Sequence, residues 1–189
     1  RAINHATGVD PFALSRIADA GDVRLPRAFD VMATIEDIAG FYRPITAAGV
    51  VPLSAGGDHS ISYPILKALA EDGPVGLVDI DAHLDLWDSY LGSRYHHGSQ
   101  FRRAVEDGLI DPNRMVQIGL RGAQNTREGW DFQREHGIRG IYIEEFREAG
   151  VAGAIQEARR IAGEGPTYLT FDIDALDPAF APGTGTPEI

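Results

Sequence analysis

Residues 75–88 read VGLVDIDAHLDLWD. Val75–Ile80 is short, apolar and partly β-branched, as a strand buried on both faces should be. Asp81, His83 and Asp85 then alternate at two-residue spacing. In extended backbone, side chains at i, i+2 and i+4 point to one side. The spacing therefore predicts two carboxylates and an imidazole converging just past the end of a buried strand. Hard divalent cations favour this mixture of oxygen and nitrogen ligands. A solvated acidic turn would explain Asp85 and Asp88, but not an Asp-x-His-x-Asp alternation at such a place.

Outward from this segment, apolar runs alternate with amphipathic stretches. Val50–Ala55, Val75–Ile80, Arg114–Leu120, Ile138–Ile143 and Pro166–Ile173 are predicted strands. Ile61–Glu71, Gln100–Glu106, Glu128–Glu135 and Val151–Ala162 are predicted helices. An earlier helix is expected over Ala28–Ala48, with a kink or break at Pro44. Strand–helix–strand alternation implies βαβ units and a mainly parallel α/β sheet. Right-handed crossovers place the strand C-termini along one edge, where ligands bind.

Two more strand ends carry ligand-type residues. Thr170–Asp177 reads TFDIDALD, in which Asp172 and Asp174 alternate at the end of an apolar strand. Two carboxylates in a buried strand mouth cost several kcal/mol unless cations compensate them. Asp177 precedes Pro178 and shapes a turn. Ala55–Ser60 reads AGGDHS; Gly56 and Gly57 let the chain turn tightly, Asp58 caps the helix that follows, and His59 offers a nitrogen ligand. Four carboxylates and two histidines exceed the needs of one cation. Two cations sharing carboxylates would use them all, lower the pKa of a bridging water, and perform metal-assisted hydrolysis.

Composition narrows the field. The chain has 189 residues, 43% hydrophobic and 24% charged, which suits one soluble domain. With 28 Asp plus Glu against 17 Lys plus Arg, the net charge is −11. That argues against a nucleic-acid partner and suits divalent metals or a cationic substrate. No apolar run is long enough for a membrane span. The absence of cysteine excludes disulfides and thiolate ligands, and a cytoplasmic location is expected.

The segments GGDHS, DIDAHLD and FDIDALDPAFAPGTGTPE, in that order and each at a strand end, resemble the ureohydrolase family of arginases, agmatinases and related guanidino-acid hydrolases. The resemblance implies a three-layer α/β/α arginase-like fold with a mainly parallel central sheet. It implies two Mn2+ per subunit, with Ni2+ as the alternative. His59, Asp81, Asp85 and Asp172 would hold one metal, and Asp81, His83, Asp172 and Asp174 the other. Asp81 and Asp172 would bridge. His97, the histidine immediately before the glycine in YHHGSQF, would be the proton shuttle. The implied reaction is attack of a water-derived hydroxide on a guanidino carbon, giving urea and an amine.

Where arginases carry an asparagine two residues beyond the Asp85 position, this chain has Trp87, so it resembles the agmatinase branch. Agmatine is then the first expected substrate, giving putrescine and urea, with guanidinobutyrate, guanidinopropionate and other small guanidines as alternatives. Trp87 would pack on the substrate's alkyl chain or cation. Asp88 would favour an ammonium tail; Arg94 and Arg102 would favour a carboxylate tail. The same scaffold also serves formiminoglutamases, or an inactive metal-binding subunit of a hetero-oligomer. The family further implies a homo-oligomer, a trimer or hexamer. Its guanidinium-binding glutamate is expected beyond Ile189, Glu188 being part of the TPE motif. Residues 1–189 are thus expected to form one ureohydrolase domain that is incomplete at both ends.

Overall fold

The computed structural model describes residues 3–189. A single helical turn, α1 (Pro11–Leu14), is capped by Asp10. Helix α2 (Val31–Ala47) begins where the Asp30 side chain accepts the Ala33 N–H at 3.0 Å. It starts three residues later than the sequence suggests, and Pro44 sits inside it without ending it. Pro44 removes the donor for the Gly40 carbonyl, but Gly40 is exposed and water can replace it. Then come α3 (Ser62–Leu69), β1 (Val75–Ile80), α4 (Gln100–Glu106), β2 (Ile110–Leu120), α5 (Glu128–Glu135), β3 (Arg139–Tyr142), α6 (Ile143–Ala162) and β4 (Thr167–Phe171).

The sheet is wholly parallel, in the order β3-β2-β1-β4. Alternation along β1 and β2 sorts side chains into two layers. Leu77 and Met115 join Leu66, Phe101 and Phe132 on one face, which α2 to α5 cover. Val116 and Ile118 pack with Ala154 and Ala158 of α6 on the other. The result is the expected three-layer α/β/α arrangement. From β1 the chain moves outward through α4 and α5 on one face, then returns through α6 on the opposite face to place β4 on the free side of β1. The order reverses between β1 and β4. Open α/β sheets bind ligands at such a switch point, outside the carboxyl ends of the strands.

Three readings of the sequence need correcting. Val50–Ala55 forms no strand; it is irregular, pairs with none of the four strands, and leaves Val51 and Leu53 90% and 102% exposed. An apolar run without a neighbour to complete its ladder gains neither hydrogen bonds nor burial. Strand β2 begins four residues early, at Ile110, and absorbs the irregularity as a register shift against Val75–Leu77. β3 yields to α6 at Ile143, one residue early, and α6 opens with a segment over 143–149 that the sequence reading did not contain; its part after Gly150 is the helix expected over Val151–Ala162. α6 is broken at Gly150, whose φ of 67° and ψ of 177° are non-helical and suit glycine. Among the described residues, no helix is long and apolar enough to cross a membrane.

Candidate metal centre

All three ligand-bearing segments reach the mouth between β1 and β4, and all three use one local device. Asp58 Oδ1 accepts the Ser60 N–H at 2.9 Å, Asp81 Oδ1 the His83 N–H at 2.6 Å, and Asp172 Oδ1 the Asp174 N–H at 2.9 Å. Each Asp-x-x tripeptide is an Asx turn, in which a carboxylate closes its own backbone two residues on. The extended alternation expected from the spacing is therefore not what converges these groups. The chain leaves the strands at once: Asp172 caps a 3₁₀ turn over Ile173–Ala175, and His59 opens another over His59–Ile61. Asp85 has a φ of 53°, an unfavourable left-handed conformation for a residue with a Cβ. Such strain persists at functional sites where the surroundings impose it. Here it swings the Asp85 carboxylate back onto His59.

Two clusters result. His59 Nδ1 lies 3.2 Å from Asp81 Oδ2, 3.0 Å from Asp85 Oδ2 and 3.0 Å from Asp172 Oδ2. His83 Nδ1 lies 3.0 Å from Asp174 Oδ2 and 3.6 Å from Asp81 Oδ1. Within each of the sets His59–Asp81–Asp85 and Asp81–His83–Asp174, the potential ligand atoms are all within 4.8 Å of one another, and Asp81 belongs to both. His59 Nδ1 and Asp81 Oδ2 are buried without a hydrogen bond. Buried polar atoms left this way are costly unless something else, such as a cation, satisfies them. This donor set fits two divalent ions that share Asp81.

Electrostatics agree. Burial lowers the His59 imidazole pKa, but the Asp172, Asp81 and Asp85 carboxylates close to Nδ1 reverse that and hold it above its usual value. Burial likewise opposes protonation of His83, yet Asp174 and Asp81 raise it to about 11. Burial, together with the Asp81 charge, lifts Asp85 to about 6. Without cations, protons on the imidazoles hold the carboxylates together. Asp79, one turn of sequence earlier, is fully buried, and burial raises it well above the carboxylate range. It accepts a hydrogen bond from Gln117 Nε2 at 3.0 Å, and the Asp81 charge beside it adds to the effect of burial.

Supporting residues lie behind these groups. Both histidines direct Nδ1 inward and tie Nε2 elsewhere: His59 to Thr170 Oγ1 at 3.0 Å, His83 to Glu188 Oε1 at 3.3 Å. Such outer partners fix ring orientation and tautomer. Gln100 Nε2 donates to Asp85, and Thr186 Oγ1 donates to Asp174 at 2.9 Å. Gly122 lies so close to His83 that a Cβ there would sit 2.4 Å from the ring. The sequence reading passed over Thr170, Thr186, Gln100 and Gly122. Gln100 carried a legible signal, a polar residue on the same face of α4 as Phe101 and Ala104. The others did not.

A cavity of about 470 Å³ opens above the clusters; His59, His83, Asp85, Asp172, Asp174, Trp87, His97 and Gln124 are on its wall. His97 is half exposed there, with Nδ1 3.3 Å from Asp58 Oδ2. His96 is turned away: its Nδ1 accepts the Gly98 N–H at 3.1 Å, and burial lowers its pKa. Trp87 donates its indole N–H to Gln124 Oε1 at 2.7 Å. Asp88, Arg94 and Arg102 are absent from this wall. Asp88 pairs with buried Arg103 at 2.7 Å and with Arg94 at 3.2 Å, while Arg102 pairs with Glu106 and Glu128 at 3.0 and 2.6 Å. The tail-binding roles suggested for these three are thus corrected: their charges are engaged in ion pairs with Arg103, Glu106, Glu128 and, for Asp88 and Arg94, each other, off the cavity wall.

The chain is similar to known proteins in sequence and in fold. The chain matches the arginase family over residues 1–189. It is 50% identical to the guanidinopropionase of Pseudomonas aeruginosa over 100% of this chain and 59% of that protein. It is 46% identical to the mitochondrial agmatinase of Gallus gallus, over 100% of this chain and 56% of that protein. The solved proclavaminate amidino hydrolase of Streptomyces clavuligerus superposes with a TM-score of 0.88 at 39% identity, covering 98% of this chain and 62% of that one. The chain therefore spans little more than half the length of the relatives it matches. Matched along its whole length in sequence and in fold, the chain belongs to the arginase family.

Proposed function

We propose that this chain builds the catalytic centre of an amidinohydrolase that cleaves a small guanidino compound to urea and an amine. The observation that carries the reading is the pair of ligand clusters sharing Asp81 at the sheet's switch point, beneath a cavity that His97 also lines. Arginase-family enzymes use two metal ions, typically manganese. His59, Asp81, Asp85 and Asp172 would hold one and Asp81, His83, Asp172 and Asp174 the other, with Asp81 and Asp172 bridging. Mn2+ is the proposed ion and Ni2+ the alternative, both compatible with imidazole and carboxylate. Bound there, two such ions would supply Lewis acidity and an activated water near neutral pH.

The chain's own residues do the rest. Asp81 places the two clusters side by side. Trp87 closes one wall and limits water. Asp58 holds His97 Nδ1, which leaves Nε2 to hand a proton to the departing amine. Expelling a neutral amine from a tetrahedral carbon needs that proton, and an imidazole nitrogen can carry it.

The substrate's far end separates the candidates. Agmatine ends in an ammonium; guanidinobutyrate and guanidinopropionate end in a carboxylate. With Asp88, Arg94 and Arg102 removed from the argument, agmatine keeps only the branch resemblance, which its relatives named guanidinopropionase and guanidinobutyrase share equally. The proposed setting is cytoplasmic, in a homotrimer or homohexamer, which light scattering would check. The decisive assay is urea release by the purified protein with Mn2+ or Ni2+ across agmatine, arginine, guanidinobutyrate and guanidinopropionate. Urea from at least one is expected. None from any, at saturating metal, overturns the reading.

A further inference from the structure

Gln124, in the loop after β2, is on the cavity wall, and nothing above gives it a role in the chemistry. Its orientation is set by an unambiguous donor. An indole N–H can only donate, so the amide atom 2.7 Å from Trp87 Nε1 must be the oxygen. The amide nitrogen, with two N–H groups, is therefore turned the other way. It makes no hydrogen bond among the described residues and is not sealed off from solvent. The indole is itself held in place. Its ring packs 5.8 Å from Tyr90 and 6.1 Å from His96, and its backbone N–H donates to the Gly98 carbonyl at 2.9 Å. Gly129 leaves the amide its space, since a Cβ there would come within 3.2 Å of Gln124 Oε1.

The rest of the wall offers an ammonium little. Asp58 has Oδ1 on the Ser60 N–H and Oδ2 on His97 Nδ1. The remaining carboxylates are the clustered metal-ligand candidates. Glu188 nearby receives His83 Nε2 and the Ala123 N–H, both at 3.3 Å. Beyond the metal clusters the wall carries, beside the His97 ring and the Thr184 and Thr186 hydroxyls, the Gln124 amide that Trp87 fixes.

We infer that Gln124, locked by Trp87, determines specificity by offering amide N–H donors to the substrate's tail, selecting guanidines that end in a carboxylate over those that end in an ammonium. The inference rests on the amidinohydrolase reading and adds the substrate class to it. A carboxylate accepts from the amide; an ammonium would place donor against donor and leave both unsatisfied. Sites built to hydrogen-bond one partner discriminate strongly against the partner that cannot reciprocate.

The test compares kcat/KM for guanidinobutyrate and for agmatine in the purified protein. The wild type should prefer guanidinobutyrate. Gln124→Glu keeps the shape and still accepts the indole N–H but replaces the donors with a negative charge. It should shift the ratio toward agmatine by roughly tenfold to a hundredfold. Trp87→Phe releases the amide to rotate and should narrow the preference in the same direction. A second measurement needs no variant: 4-aminobutanoate, the amine product from guanidinobutyrate, should inhibit the wild type more strongly than putrescine does. Urea from both substrates with an unchanged ratio in Gln124→Glu, or tighter inhibition by putrescine, overturns the inference and leaves the amidinohydrolase reading standing. Absence of urea from every guanidine overturns both.

Discussion

At the residue scale, the site depends on how few atoms are left free. In the Asx turns of Asp81 and Asp172 one carboxylate oxygen is consumed by the backbone and the other is aimed at the shared space. Asp81 is the member common to both clusters, whereas Asp85 belongs to one. Asp81→Asn should therefore weaken both metals, while Asp85→Asn should leave roughly one tightly bound ion, each ligand or close support being worth about 10- to 100-fold in affinity. Elemental analysis after desalting separates the cases; equal stoichiometry in the two variants would contradict sharing. The imidazoles add a pH dependence whose sign follows from their shifts. His59 and His83 are both raised in the metal-free protein, the latter to about 11, so uptake of a cation must expel protons. Metal affinity should rise with pH and fall fastest below about 6, where Asp85 is protonated as well. Calorimetry in buffers of different ionisation enthalpy counts the released protons, and a pH-independent affinity would refute the assignment.

At the scale of elements, the loops after β1, β2 and β4 brace one another. The Arg121 and Gly122 N–H groups both donate to the Ala82 carbonyl, at 2.9 and 2.8 Å. The Arg121 guanidinium then reaches the Asp174 and Glu188 carbonyls at 3.1 and 2.9 Å. The β2 loop carries no proposed ligand, yet it presses directly on His83. Gly122→Ala should displace that ring, lowering metal affinity by about 10- to 100-fold and stability by about 1–3 kcal/mol through overpacking. Metal titration paired with thermal melting of the metal-free protein tests it. Wild-type affinity in this variant would show that the β2 loop plays no part in holding His83. Nothing in the residue type announced this, because a glycine's necessity is set by what lies across from its missing Cβ.

For the molecule as a whole, bound cations would compete with protons to hold the mouth between β1 and β4 together. In the metal-free protein, the raised His83 contributes stability that is fully present below about pH 6.5 and lost as pH climbs toward 11. Bound metal reverses that trend. Chelation should thus lower the melting temperature, and the shift on restoring Mn2+ should be larger at about pH 8 than at about pH 6; at a thousandfold excess over Kd the stabilisation is about 4 kcal/mol. A shift that shrinks with rising pH would contradict the linkage. The sequence alone determined the parallel α/β architecture, the ends of β1 and β4 and the candidate ligand residues beside them, because burial periodicity and ligand chemistry are local properties. The apolar run at Val50–Ala55 misled that reading, since being a strand depends on a neighbour that a one-dimensional pattern does not contain. Only the tertiary structure decided that the ligands converge through Asx turns and a strained Asp85. It alone showed that Asp88, Arg94 and Arg102 are held in ion pairs off the cavity wall, and that Trp87 fixes the amide of Gln124. Those outcomes depend on which groups meet across the fold, and a charge or an amide does nothing definite until its partner is known.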